Sequence, residues 1–404
     1  MSLQPVPAIL NESVRRILSP EARVLLLAVG ATSDPVALRT ALADGAFSWD
    51  RLLDLAVREK AAPALHELVG PLGDDLVTRE ARGKLGDLLR FTTFHMLRLE
   101  QLFLQALDIL DEEGVDAVLL KGAGLATTVY ASFNARPMYD IDLLVRPEHA
   151  LRAWNALRAN GWVHDETERP TAFYTTHYHL PPLDDPGGTG LALELHTSLA
   201  DECIGLNPDM IRRNAREIQI HGRRALVPVV EHQVVHLATH FAWTHGLASA
   251  AWRTFRDLYK IASHTSIDWD RVVSVAKVAH ATTSCYWTFR LAQSCAGVNV
   301  PDGVIESLKP PRIKAVLRVL ERHYASMLFR DGRIQCPSVH ITKMLWSAGM
   351  APRWSGHGNA RPWHRGEVWA DARGAVLPDS ALARMRSHVD RIAQWRRYVS
   401  ALVR

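Results

Sequence analysis

Residues 115–145 read VDAVLLKGAGLATTVYASFNARPMYDIDLLV. The mainly apolar run Val115 to Leu120 ends in Lys121-Gly122 and passes into a helix-competent segment. Tyr139-Asp140-Ile141-Asp142-Leu143-Leu144-Val145 then alternates as a strand. The order is strand, glycine turn, helix, acidic strand. Successive strand side chains point to opposite faces, so Asp140 and Asp142 project together while Ile141 and Leu143 project into a core. Two carboxylates on one face repel unless a cation lies between them. Their oxygens suit a hard divalent ion such as magnesium, which keeps some waters and shares its other positions with phosphates. A glycine directly after a strand and at the head of a helix lets phosphate approach backbone amides, and Lys121 adds a point charge within reach. An ordinary turn and a solvated strand end account for either motif alone; the two together, in this order, are more specific.

Three segments carry a resemblance to a known family. Leu119-Leu120-Lys121-Gly122, the run Arg136-Pro137-Met138-Tyr139-Asp140-Ile141-Asp142-Leu143-Leu144-Val145, and Leu193-Glu194-Leu195-His196 resemble the nucleotidyltransferase superfamily of the DNA-polymerase-beta type. The likeness is closest to its bacterial group of nucleotidyltransferase family proteins and runs from Ile109 to Pro301. The resemblance implies a glycine turn that holds a nucleoside triphosphate, and a DxD strand that joins a later acidic residue in holding two Mg2+ ions. Carried over by position, Gly122 is the turn, Asp140 and Asp142 are the metal pair, and Glu194 is the third carboxylate. Many members have Gly-Ser at the turn, whereas this chain has Gly122-Ala123, which leaves Lys121 as the substitute phosphate contact. Lys121, Gly122, Arg136, His196, His240 and Arg253 are the expected nucleotide-binding residues.

The chain has 404 residues, 48% of them hydrophobic, enough for a sizeable core and for two or three domains. Its four cysteines, Cys203, Cys285, Cys295 and Cys336, lack CxxC spacing, which suggests a reducing compartment and no zinc ribbon. The first residues show no charged segment followed by an apolar one, and no apolar run is long enough to span a bilayer, so a cytoplasmic location without a membrane partner is expected. Charge is uneven. Residues 311–404 hold 17 Lys or Arg against 6 Asp or Glu, a net +11, which leaves −7 on the rest of a chain whose total is +4. Solvated helix faces produce such asymmetry, and so does a surface that meets a polyanion.

Apolar periodicity predicts helices over 21–29, 35–44, 50–60 and 76–113, the last closed by Gly114. Pro147 opens a crossover helix that Gly161 stops. Residues 173–180, a turn-rich PPLDDPGGTG and residues 191–199 then read as a hairpin, with Glu194 and His196 on one face and His177 and His179 on a face of the partner strand. His232, His236 and His240 recur every four residues along one helix, a spacing compatible with zinc ligation, interhelical packing or site lining. Arg253 and Asp257 stand at i and i+4 on the next helix, where the arginine either meets phosphate or pairs with Asp257 on the surface. Residues 320–350 read as helical. Residues 351–374 read as a connection in which Trp354, Trp363 and Trp369 interleave with Arg353, Arg361 and Arg365, and a basic helix follows from Pro378 to Val403.

The resulting expectation is an α+β protein, a small mixed sheet of nucleotidyltransferase type flanked by helical regions. Four domains are expected: an N-terminal helical lobe (1–108), a catalytic domain (109–224), a helical domain (225–350), and a loop with a basic helix (351–404). The expected reaction moves a nucleoside monophosphate from a nucleoside triphosphate to an acceptor, which is a small molecule, a peptide, a protein or RNA. Catalysis would rest on Asp140, Asp142 and Glu194. A non-catalytic nucleotide-binding module and an enzyme that modifies RNA ends are the alternatives; base preference and oligomeric state are open at this level.

Overall fold

The computed structural model describes residues 14, 16–31, 34–165, 171, 174, 177–199, 206–329, 336, 339–350 and 393–403. The chain divides into two compact units. One comprises Met1–Glu59, His240–Arg256 and Thr282–Arg404; the other comprises Lys60–Thr239 and Asp257–Ala281 and contains the sheet. The architecture is α+β. No helix among the described residues is long and apolar enough to cross a membrane.

Early helices follow the expected apolar stripes with trimmed ends: α1 (Pro20–Leu27), α2 (Pro35–Leu42) and α3 (Trp49–Glu59). Proline at the first turn of α1 and α2, with Ser19 and Asp34 as side-chain caps, sets both starts. A further short helix, α4 (Ala62–Val69), lies where the periodicity reading leaves a gap. The 34-residue helix α5 (Arg79–Glu112) starts at the Thr78 hydroxyl, which accepts from the Ala81 amide at 3.2 Å. It ends where Gly114 takes a left-handed conformation (φ 62°) and the Val115 amide returns to the Leu110 carbonyl.

Six strands make one mixed sheet: β1 (Val118–Leu119), β2 (Asp140–Leu144), β3 (Leu183–Asp184), β4 (Ala192–His196), β5 (Arg216–Ile220) and β6 (Arg223–Val227), in the order β3-β4-β2-β1-β6-β5. Short helix α6 (Lys121–Ala126) follows β1, and α7 (Pro147–Ala159) is the crossover that makes β2 and β4 parallel. Ile141, Leu143, Leu193 and Leu195 point to one face, where they bury against Met96, Leu99, Phe103 and Leu110 of α5 and Ala153, Trp154 and Leu157 of α7. The opposite face of the same strands carries Asp140, Asp142, Glu194 and His196.

The hairpin differs from the sequence expectation. The antiparallel partner of β4 is β3, inside the stretch read as turn, and among the described residues only an isolated bridge, His179 to His196, extends the pairing backward. Asp185 shortens the turn. Its carboxylate accepts from the amides of Gly187 (2.9 Å), Thr189 (2.8 Å) and Leu191 (3.3 Å), so the reversal needs only the residues after Asp184.

Helix α8 (Pro208–Asn214) leads to β5, and after β6 come α9 (Val230–Trp243), α10 (Ala251–His264), α11 (Trp269–Val278), α12 (Thr282–Ala296) and α13 (Asp302–Leu308). The stretch read as helical over 320–350 carries two helices among the described residues, α14 (Lys314–Met327) and α15 (Val339–Met350); Gly332 and Pro337 in the intervening sequence both disfavour a continuous helix. Residues 393–403 form α16. The expected tryptophan and arginine interleaving over 351–374, the helix start at Pro378 and Cys203 lie outside the described residues.

Candidate functional site

The site is assembled by strand register. β2 and β4 run parallel, with Asp142 opposite Glu194 and Leu144 opposite His196. Because side chains alternate, Asp142, Glu194 and His196 emerge on the same face. Asp140 shares that face one step earlier, opposite Ala192, at the exposed end of β2. The antiparallel neighbour β1 is followed by Leu120, whose amide donates to the Asp142 carbonyl at 2.9 Å, and the next residue is Lys121.

Lys121 turns the chain out of the sheet with a left-handed backbone (φ 40°), an uncommon state for a residue with a side chain. Its Nζ donates to Asp142 Oδ1 at 2.7 Å. His196 Nε2 lies 2.8 Å from the same oxygen and 3.3 Å from Glu194 Oε2. His179 Nε2 is 3.9 Å from Glu194 Oε2, and its Nδ1 is 2.6 Å from the Leu180 carbonyl. Asp142 and His196 are 3% and 1% exposed, so the charges interact with little water between them.

Burial sets the starting point for every titration here, and the partners decide its direction. Desolvation pushes the Asp142 carboxyl up, but Lys121 and His196 hold it well below the usual carboxylate range. Burial opposes the Lys121 charge, and Asp142, Glu194 and Asp140 more than offset it, so the ammonium is held above its ordinary pKa. His196 likewise rises against its own burial because Asp142 and Glu194 accept from it, and Glu194 falls through its bond to His196. His179 goes the other way. Its burial outweighs the pull of Glu194 and keeps the ring neutral.

Asp142, Glu194 and His196 each offer one ligand atom, all within 4.8 Å of one another. Two carboxylate oxygens and an imidazole nitrogen are a chemically sound donor set for a divalent ion, and the buried His196 Nδ1, which makes no hydrogen bond among the described residues, leaves Nε2 as the ring's only engaged nitrogen. Among the described residues, the histidine stripe of α9 adds no ligand group of its own. His232 and His236 are buried, and His236 is pushed down to about 3 by burial, with the Lys121 and His196 charges adding to it.

The remaining expected residues are distributed as follows. Gly122 is the second residue of α6 and lies beside the Arg136 guanidinium. Arg136 does not reach the carboxylate cluster directly; it is forked onto Asp257, with Nε 3.2 Å from Oδ1 and Nη2 2.7 Å from Oδ2. Asp257 also accepts from the Tyr130 hydroxyl at 2.6 Å, and it is 1% exposed. Asp257 is therefore a buried partner of Arg136 and not the exposed end of an intrahelical pair. His240 and Arg253 belong to the other unit, where His240 stacks edge-on with His245 at 4.8 Å and Arg253 lends its charge to the buried Glu59 carboxyl. Sequence reasoning did not single out His179's pairing or Asp257's burial. Alternation brought His179 near Glu194, but nothing local in the sequence points from Asp257 back to Arg136.

A family model described as an uncharacterised nucleotidyltransferase matches residues 45–297, more than half of the chain. No curated protein matches the chain. The protein belongs to that nucleotidyltransferase family.

Proposed function

We propose, with membership of the nucleotidyltransferase family as the premise, that the protein transfers a nucleoside monophosphate from a nucleoside triphosphate to an acceptor oxygen and releases pyrophosphate. One observation carries the reading: the parallel register of β2 and β4 gathers Asp142, Glu194 and His196 beside Lys121 and Gly122. Asp142, Glu194 and His196 would hold a divalent ion, Mg2+ being the one the superfamily uses, and Asp140 at the rim would serve a second. When bound, such ions neutralise phosphate charge and favour in-line attack at the α-phosphorus.

The chain's own groups do the rest. Lys121 and the Gly122 amide hold the outer phosphates, and positioning supplies most of the rate. The acceptor oxygen forms a bond to the α-phosphorus while the bond to the bridging oxygen of the β-phosphate breaks. The acceptor's proton passes to His179 Nε2. That nitrogen is the available base because Nδ1 faces the Leu180 carbonyl and must carry the ring's hydrogen, and because burial keeps the ring neutral at pH 7.

A second reading, a nucleotide-binding module without turnover, has one observation in its favour: buried Ala123 follows the glycine and offers phosphate no hydroxyl. Titration calorimetry with Mg2+ and each nucleoside triphosphate, followed by labelled triphosphate in a cell extract, separates the two. Metal-dependent binding that is lost in Asp142→Asn, together with a labelled acceptor, supports transfer. Binding without any labelled product supports the module. Unchanged binding in Asp142→Asn removes the cluster from the metal role and with it the proposal. The labelled species itself would identify the acceptor as small molecule, peptide, protein or RNA.

A further inference from the structure

The backbone conformation of Gly122 does not need glycine. The left-handed residue at this corner is Lys121, and Gly122 is absent from the positions with positive φ. What requires glycine is space. A Cβ on Gly122 would lie 2.8 Å from Arg136 Nη1 and 2.8 Å from Met138 Sδ, closer than atoms can approach without displacement. The end of the Arg136 side chain therefore lies against the bare backbone of the turn that is expected to meet phosphate.

What holds it there is Asp257, through the two-point fork already described, with the Tyr130 hydroxyl as a third bond to the same carboxylate. Lys260 sits over the Tyr130 ring, 5.8 Å from its centroid. The fork and a long 3.5 Å contact to the Pro137 carbonyl engage three of the five guanidinium N–H groups, so two donors are left on a side chain that is 12% exposed. The charge of Asp140 also acts on Arg136, after the larger effect of Asp257. Two cations thus bracket the turn, with Lys121 on the Asp142 side and Arg136 across Gly122.

We propose that Asp257 is a positioning residue that fixes the Arg136 guanidinium across Gly122, so that a polyphosphate chain meets two charges at set places. The inference rests on the nucleotidyltransferase reading of the site and names the second half of its phosphate clamp. A planar fork transmits orientation as well as charge, which an ammonium cannot do.

The probe is inorganic tripolyphosphate with Mg2+, which removes the question of base preference; orthophosphate is the comparison. Affinities are measured by calorimetry well below each variant's melting midpoint, so that a loss of stability does not count as a loss of binding. Asp257→Asn is expected to weaken tripolyphosphate binding at least tenfold and orthophosphate binding much less. Because removing the counterion of a buried cation can unfold a protein, Arg136→Lys is the parallel variant. It keeps the charge and loses the fork, and it should lower tripolyphosphate affinity by a similar factor with a melting midpoint close to the parent's. Combining the two should weaken binding no further than the stronger single change. If Asp257→Asn and Arg136→Lys melt earlier but bind tripolyphosphate as the parent does, the pair is only structural and the inference is overturned. If the parent binds tripolyphosphate with metal, Asp142→Asn does not, and Asp257→Asn and Arg136→Lys bind it as the parent does, the metal site stands and this inference alone is overturned. If the parent binds no tripolyphosphate with metal, the nucleotidyltransferase reading of the site falls first and the clamp with it.

Discussion

Lys121 spends its charge on Asp142 in this structure, and that pairing makes its expected role testable. A nucleoside triphosphate offers Lys121 outer phosphates that a monophosphate lacks. Lys121→Met should therefore weaken triphosphate binding tenfold or more and leave monophosphate binding nearly unchanged; equal weakening of both would mark a lysine that serves only to neutralise Asp142. The imidazole in the ligand group gives a second expectation. Nitrogen donors favour later first-row ions over magnesium, so Mn2+ should bind more tightly than Mg2+, and His196→Asn should narrow the difference, as read by manganese resonance or calorimetry. Much of this residue-level chemistry was legible before any fold was known. Alternation alone put Asp142 and Ile141 on opposite faces, and Glu194 with His196 on one. Asp257 was not legible because helical spacing offered it a nearer partner in Arg253, whereas the pairing that forms spans the sequence from Arg136.

At the scale of elements, the packing of α14 makes stability depend on pH. His323 of α14 is wholly buried, its Nδ1 lies 2.7 Å from the Tyr398 hydroxyl of α16, and burial pushes its pKa down to about 3. Between that value and the ordinary histidine value the unfolded chain takes up a proton that the folded chain refuses, so stability falls as pH drops below about 6.5, by up to about 1.4 kcal/mol per pH unit. His236 in the other unit adds a dependence of the same sign. The melting midpoint should decline from pH 7 to pH 5, and His323→Gln should flatten the decline; an identical slope would show that His323 is not the group responsible. Element boundaries were legible where a glycine or a proline states them, as at Gly114 and Pro147. They were misread where a side chain bonds the backbone of its own turn, as at Asp185, whose carboxylate draws the turn tight and frees Leu183 and Asp184 to join the sheet.

For the whole molecule, the net +11 of residues 311–404 left two uses open, solvated helix faces or recruitment of a polyanion. In the described part of that tail both sides of a helix are visible: Tyr398 and Leu402 are buried with Ile341 in one cluster, while Arg396 and Arg397 face water. Truncation after Met350 should therefore lower the melting midpoint, because it removes a buried leucine and the tyrosine that bonds His323, together on the order of 3 kcal/mol. An unchanged midpoint would show that α16 contributes no packing and would return the tail's charges to a recruiting role, for which RNA binding should then fall steeply with salt. Charge counting could not separate these uses because it has no direction, whereas a helix has two faces. The sheet carries a different consequence, one of time. One of its two central strands, β1, pairs with β6, and Val118 meets Leu226 about a hundred residues later, so the centre of the sheet closes only after both edges of the future site have been synthesised. Until β6 emerges, one side of β1 is an open edge beside the segment that carries Lys121 and Gly122. A nascent chain paused before that strand would hold the ligands without the frame that aligns them, which makes this interval the point at which aggregation competes with assembly.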